Sequence, residues 1–543
     1  MVARLSRFDA VIIGSGMGGA MAARPLIDSG LRVLMLERGS TVARTPDCWA
    51  PDSVLERSPH YSVESAFRVH GDDPGTSGSY HCVGGPAVFY GAVSMRMREV
   101  DFSAPLDVRG DAPGRWPFTY ADIEPYYLWA ERILGVAGRE SGDPTAPWRS
   151  GPYPQRAPDL LGPARLVWDS SERLGLTPFH LPLAIDFTGK GARAACVRCG
   201  TCDGHACALG SKSDPGTSVL PDLVARGLTL VSDTVAVRLL YRNHRVTGVE
   251  CVDRGSGFRW IARGHHYILS AGALASPQLI LASGLAQANP AGDSVGRTLM
   301  RHSNALVFGL FPGVLEGSRS FHKQVGIHDL YGGEHDRPKL GCIQSIHPPP
   351  VGMVQDRVPS WAAGLGDVIA DHSTGLLVIA EDEPCRDNRV TLSRKHSDRF
   401  GVPQGVVHHS YTQRDMDARR SLARVAGRIL RGAGAVFTTC YRIKTFSHAV
   451  GTVRMGEDAR TSPLDGFGRF RGIDNLRVVD GSFMPRAGAV NPSLTIAANA
   501  LRCASHLAGR ASLTGPRDAR QDMWTELRIP MHVHGENGRE VSR

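Results

Sequence analysis

The sequence predicts an α/β chain, α+β overall, with a parallel-sheet unit at its start and antiparallel sheets after it. Three observations carry this. The first is the stretch from Phe8 to Gly39. There a short apolar run, Val11-Ile12-Ile13, meets Gly14-Ser15-Gly16-Met17-Gly18-Gly19, an Ala-rich segment to Asp28, and a second apolar run from Arg32 to Leu36 that ends at Glu37. The second is the alternation of β-branched and polar residues after Leu228, which reads as antiparallel strands. The third is a late apolar strand, Leu476 to Val479, closed by Asp480-Gly481.

The first stretch is a strand–turn–helix–strand unit in the G-x-G-x-x-G register that binds dinucleotides. Gly14 permits the tight turn, Gly16 lets backbone approach a pyrophosphate, and Gly19 lets helix and strand pack closely. The helix N-terminus offers free N–H groups to phosphate, with Ser15 in the turn. Glu37 is placed to accept hydrogen bonds from ribose hydroxyls. Pro46 to Gly78 lacks sustained periodicity and is expected to be a long excursion from this unit. Gly84-Gly85, within His81 to Gly91, marks a second place for close approach of backbone to a ligand, or an ordinary turn. Thr119 is a candidate N-cap for a helix running to about Leu134, and Gly138 to Pro163 is loop.

From Leu228, three strand runs form a small antiparallel sheet returning to the first unit, and Pro277 sits in the first turn of a helix opened by Gly272. Residues 304–442 mix strands and loops, with a basic amphipathic helix over Asp415 to Ala433, and read as a second, substrate-facing domain. Pro492 to Leu507 is a helix; the tail after Gly509 is polar, and its His532 and His534 are incidental.

The formal charge is +9 over 543 residues, but the arginines are scattered, so a solvated basic surface is expected rather than nucleic-acid binding. No apolar run approaches the ~20 residues of a membrane helix. The first strand begins by Phe8, which leaves no room for a signal peptide, so the expected compartment is the cytoplasm, where the 11 cysteines are mostly thiols or ligands.

Taken together, the ordered segments resemble the glucose–methanol–choline family of FAD-dependent oxidoreductases over nearly the whole chain. They are the N-terminal glycine motif, Gly84-Gly85, Ser276-Pro277 with Ser283-Gly284, Val295-Gly296-Arg297-x-Leu299-Met300-x-His302, Glu381-Asp382-x-Pro384 with Asn388-Arg389-Val390, His448-x-x-Gly451-Thr452-x-x-Met455, Val479-Asp480-Gly481-Ser482 and Asn491-Pro492. Two departures are Pro86-Ala87, where a small polar pair is usual, and Ala286, where a glycine is usual. The resemblance implies a Rossmann-like FAD-binding domain over 1–110, 190–303 and 443–510, interleaved with an antiparallel-sheet substrate domain over 111–189 and 304–442, with 511–543 as tail. It implies FAD contacts at Gly14, Ser15, Gly16, Gly19, Glu37, Gly84, Gly85, Tyr90, Val235, Asp480, Gly481, Asn491 and Pro492. Some members attach FAD through a histidine where this chain has Phe89, so non-covalent FAD is expected.

Oxidising an alcohol removes a proton from the hydroxyl and a hydride from the carbon; a flavin accepts the hydride, and histidine suits the proton. His448 matches the family's catalytic histidine and Asn491 its second catalytic position. Asparagine carries no charge and can hold the substrate oxygen, which leaves His448 as the base of the pair. The expected partner is a small-molecule alcohol, with oxygen or an electron-transfer protein as acceptor. A flavin-bound lyase, or a non-catalytic subunit of an electron-transfer complex, is the alternative. Cys196, Cys199, Cys202 and Cys207 lie within 12 residues at nearly a ferredoxin spacing. An iron–sulfur cluster, which would favour a dehydrogenase, a structural zinc and free thiols all stay open.

Overall fold

The computed structural model describes residues 8–50, 58–103, 111–112, 114–140, 142–191, 193–332, 338–349 and 364–509; the expected tail lies outside them. The chain opens with β1 (Phe8–Ile13), α1 (Met17–Asp28) and β2 (Val33–Leu36). They belong to a five-stranded parallel sheet, running Leu476–Val478, Gly264–Leu269, β1, β2, Thr229–Val231. The strand cores are apolar on both faces because both are covered, by α1 on one side and by the antiparallel strands Thr234–Arg242 and Arg245–Asp253 on the other. Ile12, Val33 and Met35 are fully buried, each contributing about 1.5–3 kcal/mol of burial. The last helix, Ser493–Leu507, packs on α1 and on Tyr120–Leu134.

The sequence-predicted elements are present with small shifts. The helix at Tyr120–Leu134 begins at Thr119, whose Oγ1 and backbone N–H both donate to Asp122 Oδ2 at 2.8 Å. The basic helix spans Gln413–Gly432, two residues earlier than expected, because Thr412 and Asp415 form a capping box. Of the strand runs after Leu228, Thr234–Arg242, Arg245–Asp253 and Arg259–Ala262 form the expected antiparallel sheet, while Thr229–Val231 and Gly264–Leu269 join the parallel one.

The excursion expected over Pro46 to Gly78 is not featureless. Tyr61–Gly71 and Gly75–Tyr80 form a hairpin, and Tyr61–Gly71 pairs in parallel with Pro403–His409. This four-stranded sheet therefore joins early chain to the region read as a second domain. A six-stranded antiparallel sheet completes the architecture: Phe437–Arg442, Ser303–Leu310, Ser373–Ala380, Gly341–Ile346, Val325–Ile327 and Pro178–His180. The Gln413–Gly432 helix covers one of its faces through Leu422, Ala426 and Ile429. The other face carries Gln344 toward Asn491. No helix among the described residues is long and apolar enough to cross a membrane.

Candidate active site

The glycine motif separates into positions that packing demands and one that it leaves open. Gly14 has φ +98°, and a Cβ there would overlap the carbonyl oxygen of Ser270. A Cβ on Gly19 would overlap the oxygen of Gly14, and one on Gly18 would sit 2.5 Å from the oxygen of Val479. Gly16 differs: the nearest atom to its Cβ would be Gly85 Cα, 4.0 Å away. Protein packing therefore does not require glycine at 16. The cradle stands open at the N-terminus of α1, where Gly16 is an N-cap without side-chain capping and the dipole is positive. The structure fits a bound pyrophosphate there.

Glu37, at the end of β2, accepts from Ser15 N–H at 3.0 Å and Ser15 O–H at 2.6 Å through Oε2, and from Gly39 N–H at 2.8 Å through Oε1. Burial raises its pKa, and these donors partly offset the rise. Gly84 N–H donates to Ser15 Oγ at 3.0 Å, so the second glycine segment abuts the first. Val235 is buried beside Phe400 and Val402, and its neighbour Thr234 donates to the Glu37 carbonyl at 2.9 Å. The hydroxyl of Tyr90 donates to the Ser213 carbonyl. Phe89 is buried and stacks on Tyr80 with ring centroids 4.1 Å apart.

Asp480 follows the late strand. Its carboxylate accepts from Gly272 N–H at 3.1 Å, Ser482 N–H at 2.9 Å, Ser482 O–H at 2.5 Å and the Ser276 hydroxyl. Gly481 then accepts the backbone N–H of Gly451 at 3.1 Å, which ties this strand end to the segment carrying His448.

Beyond this strand end two histidines meet. His448 Nδ1 lies 3.0 Å from His302 Nδ1, and His302 Nε2 lies 3.3 Å from the carbonyl oxygen of Ala487. A carbonyl only accepts, so His302 carries its proton on Nε2 and presents Nδ1 as an acceptor. His448 then carries its proton on Nδ1, and its Nε2 lone pair is free. Burial first, then the charges of His302 and Lys323, depress the His448 pKa to about 3. His302 is likewise lowered, chiefly by burial. His302 is held at φ +61° by Asp382, which accepts its N–H at 3.0 Å and that of Arg301 at 2.7 Å, and Tyr411 O–H donates to its carbonyl at 2.8 Å. The sequence reading quoted His302 inside a family segment without giving it a role; its spacing after Val295-Gly296 was the available signal.

Asn491 and Pro492 open the last helix, and Asn491 Oδ1 accepts from Gln344 Nε2 at 2.8 Å. Ala487 and Asn491 share one short segment, fixed by buried charge. Glu381 accepts Gly488 N–H at 3.1 Å and pairs with Arg486 at 3.2 Å, while Lys339 bridges Glu381 and Asp101. Tyr331 donates to Asp101 at 2.7 Å and accepts Ala489 N–H at 3.1 Å. Removing one member of a buried ion pair costs about 3–5 kcal/mol, so the segment has little freedom.

The cysteine run does not bear out a metal centre. All four are free thiols, and no group of three or more His, Cys, Asp or Glu that could hold a metal occurs among the described residues. Cys196 Sγ accepts Arg198 N–H at 3.3 Å, Cys199 Sγ lies 3.3 Å from Thr201 Oγ1, and Cys202 is buried. Burial pushes the Cys196 pKa up to about 11 and that of Cys202 well above the ordinary thiol value. Closeness in sequence does not converge these sulfurs, and the residues do not fit the group.

Two family models described as GMC oxidoreductase match the chain, over residues 186–304 and 384–500. It is 32% identical over 528 residues to paromamine 6′-oxidase of Streptomyces fradiae, covering 92% of this chain and 91% of the relative. It is 34% identical over 532 residues to 6‴-hydroxyparomomycin C oxidase of Streptomyces lividus, covering 92% of each. The crystal structure of pyridoxine 4-oxidase from Mesorbium loti superposes with a TM-score of 0.67 at 19% identity, covering 92% of this chain and 99% of that one. The open cradle at Gly16, the His448–His302 pair and these likenesses agree: the chain belongs to the GMC oxidoreductase family of FAD flavoproteins.

Proposed function

We propose that the protein oxidises a CH–OH group of a small sugar-like alcohol, with His448 as the base. The observation that carries this is the chain from His448 through His302 to the Ala487 carbonyl, which leaves His448 Nε2 as an unprotonated acceptor. Gly14, Ser15, Gly16, Gly19 and Glu37 hold the adenosine diphosphate half of FAD, with Val235 beside Glu37. Gly84, Gly85, Tyr90, Asp480, Gly481, Asn491 and Pro492 hold the remainder. When bound, FAD supplies the hydride acceptor at N5 of its isoalloxazine.

His448 Nε2 takes the hydroxyl proton, and the Nδ1–H bond to His302 strengthens as His448 becomes charged. Asn491 is oriented by Gln344: because its Oδ1 already accepts, its amide N–H groups are the donors left for the substrate oxygen. The names of the two oxidase relatives support a sugar-like substrate and oxygen as the acceptor. An anaerobic panel of sugars and simple alcohols, read by bleaching of the flavin, tests the activity; no bleaching with any CH–OH donor refutes it. Hydrogen peroxide release in air, compared with dye reduction without oxygen, tests the acceptor.

Two further results are expected. Acid precipitation releases the flavin into the supernatant, because Phe89 offers no nucleophile; yellow that stays with the pellet refutes this. The pH profile of kcat/KM shows no acid limb near 6.5. A base works only when unprotonated, and a pKa of about 3 keeps His448 unprotonated until pH falls toward that value. Rates measured from pH 5 to 8 therefore hold on the acid side, and a drop centred near 6.5 rules out this environment for the base.

A further inference from the structure

The cysteine-rich loop has a feature that the flavin chemistry does not use. Between Cys202 and His205 it presents Asp203, and the loop around it is fixed. Lys212, fully buried, donates to the carbonyls of Tyr90 at 2.7 Å, Cys202 at 2.9 Å and His205 at 2.7 Å. Gly204 N–H donates to the Phe89 carbonyl at 2.9 Å. Asp203 is thereby anchored against the glycine segment that abuts the flavin motif, and a Cβ on Gly91 would overlap both Asp203 Oδ1 and Lys323 Nζ.

Asp203 pairs with Lys323 through Oδ1 and meets His347 Nδ1 at 3.3 Å through Oδ2. The Lys323 and His347 side chains are 4% and 7% exposed, but the Asp203 side chain is 35% exposed. His347 Nε2 is buried without a hydrogen-bond partner, as is Oε1 of Gln344, the residue that orients Asn491. Lys323 joins this cluster to the reacting end, because its charge is felt at His448. Burial would raise the Asp203 pKa, but Lys323 and His347 outweigh it and hold the carboxyl well below its usual range. The result is a built, anionic acceptor with an open side, next to an unsatisfied imidazole nitrogen. An apolar alcohol leaves such groups unpaired; a substrate dense in hydrogen-bond donors satisfies them.

We propose that Asp203 is a specificity residue that accepts a hydrogen bond from a ring hydroxyl or ammonium group of the substrate, away from the carbon being oxidised. This rests on the alcohol-oxidising reading above. The loop then serves to deliver Asp203, with its thiols as filler and its lysine as the clamp.

The test compares Asp203→Asn and wild type by anaerobic flavin reduction with three donors: an amino sugar, the matching sugar with hydroxyl for amine, and a monoalcohol without other polar groups. Loss of a charge-assisted hydrogen bond lowers kcat/KM about 10- to 10²-fold. The ratio of kcat/KM for the sugars to that for the monoalcohol is expected to fall by that factor. A steeper fall for the amino sugar identifies the ammonium as the bound group, and an equal fall identifies the hydroxyls. Freeing Lys323 from its partner alters His448 for all donors alike and leaves the ratio unmoved, so a parallel fall overturns the proposal. Asp203→Glu keeps the charge beside Lys323 but moves the acceptor, and should Asp203→Asn fail to retain flavin, the same ratio in Asp203→Glu decides. If wild type is reduced by no donor, the alcohol reading itself fails; reduction by all three with an unchanged ratio in the variants removes only the role of Asp203.

Discussion

His448→Ala reduces its bound flavin about 10² to 10⁴ times more slowly than wild type when mixed with substrate in the absence of oxygen, the span typical of general base catalysis. Flavin content is expected to be unchanged, since His448 is not among the residues assigned to hold FAD. His302 cannot take over: its Nε2 proton is committed to the Ala487 carbonyl, and Asp382 and Tyr411 fix its backbone. Asn491→Ala costs less, because it removes a donor to the substrate oxygen and not the proton acceptor. Stopped-flow absorbance of the flavin band measures both, and equal rates in His448→Ala and wild type would remove His448 as the base.

Gly16→Val yields colourless protein. The other glycines of the motif are fixed by contacts within the chain, so changing them disturbs the fold itself. A Cβ on Gly16 meets no protein atom closer than 4.0 Å, in the space before α1. The fold is therefore expected to survive while the phosphates lose their room. Flavin absorbance per protein, read beside far-ultraviolet circular dichroism, separates the two effects. A yellow Gly16→Val protein would place the pyrophosphate elsewhere.

What could be read before folding was whatever chemistry is local. The glycine turn, the two flanking apolar strands and the acid after them are neighbours in sequence, so their register is written in one short stretch. The Tyr61–Gly71 and Gly75–Tyr80 hairpin was missed because its residues are largely polar and half-exposed, and its partner, Pro403–His409, lies far along the chain. The cysteines are the opposite case: they are close in sequence, yet among the described residues they form no group of three or more that could hold a metal, and no local rule reveals where a loop aims its sulfurs. His448 and Asn491 were legible from their segments. The tautomer on which the proposed role of His448 rests depends on His302 and the Ala487 carbonyl, a contact between distant segments with no pattern of its own.

The parallel sheet also governs how the protein comes into being at the ribosome. β1 is among the first residues to emerge, yet the strand Leu476–Val478 and the helix Ser493–Leu507 that covers α1 are among the last described. Until they arrive, the outer edge of Gly264–Leu269 and the apolar face of α1 have no cover, a long interval for a chain that adds about 5–20 residues per second. The nascent protein cannot finish its first unit and proceed to the next, as sequentially arranged domains do. Asp480 comes with the closing strand, so the cradle is completed only once that strand has joined the sheet.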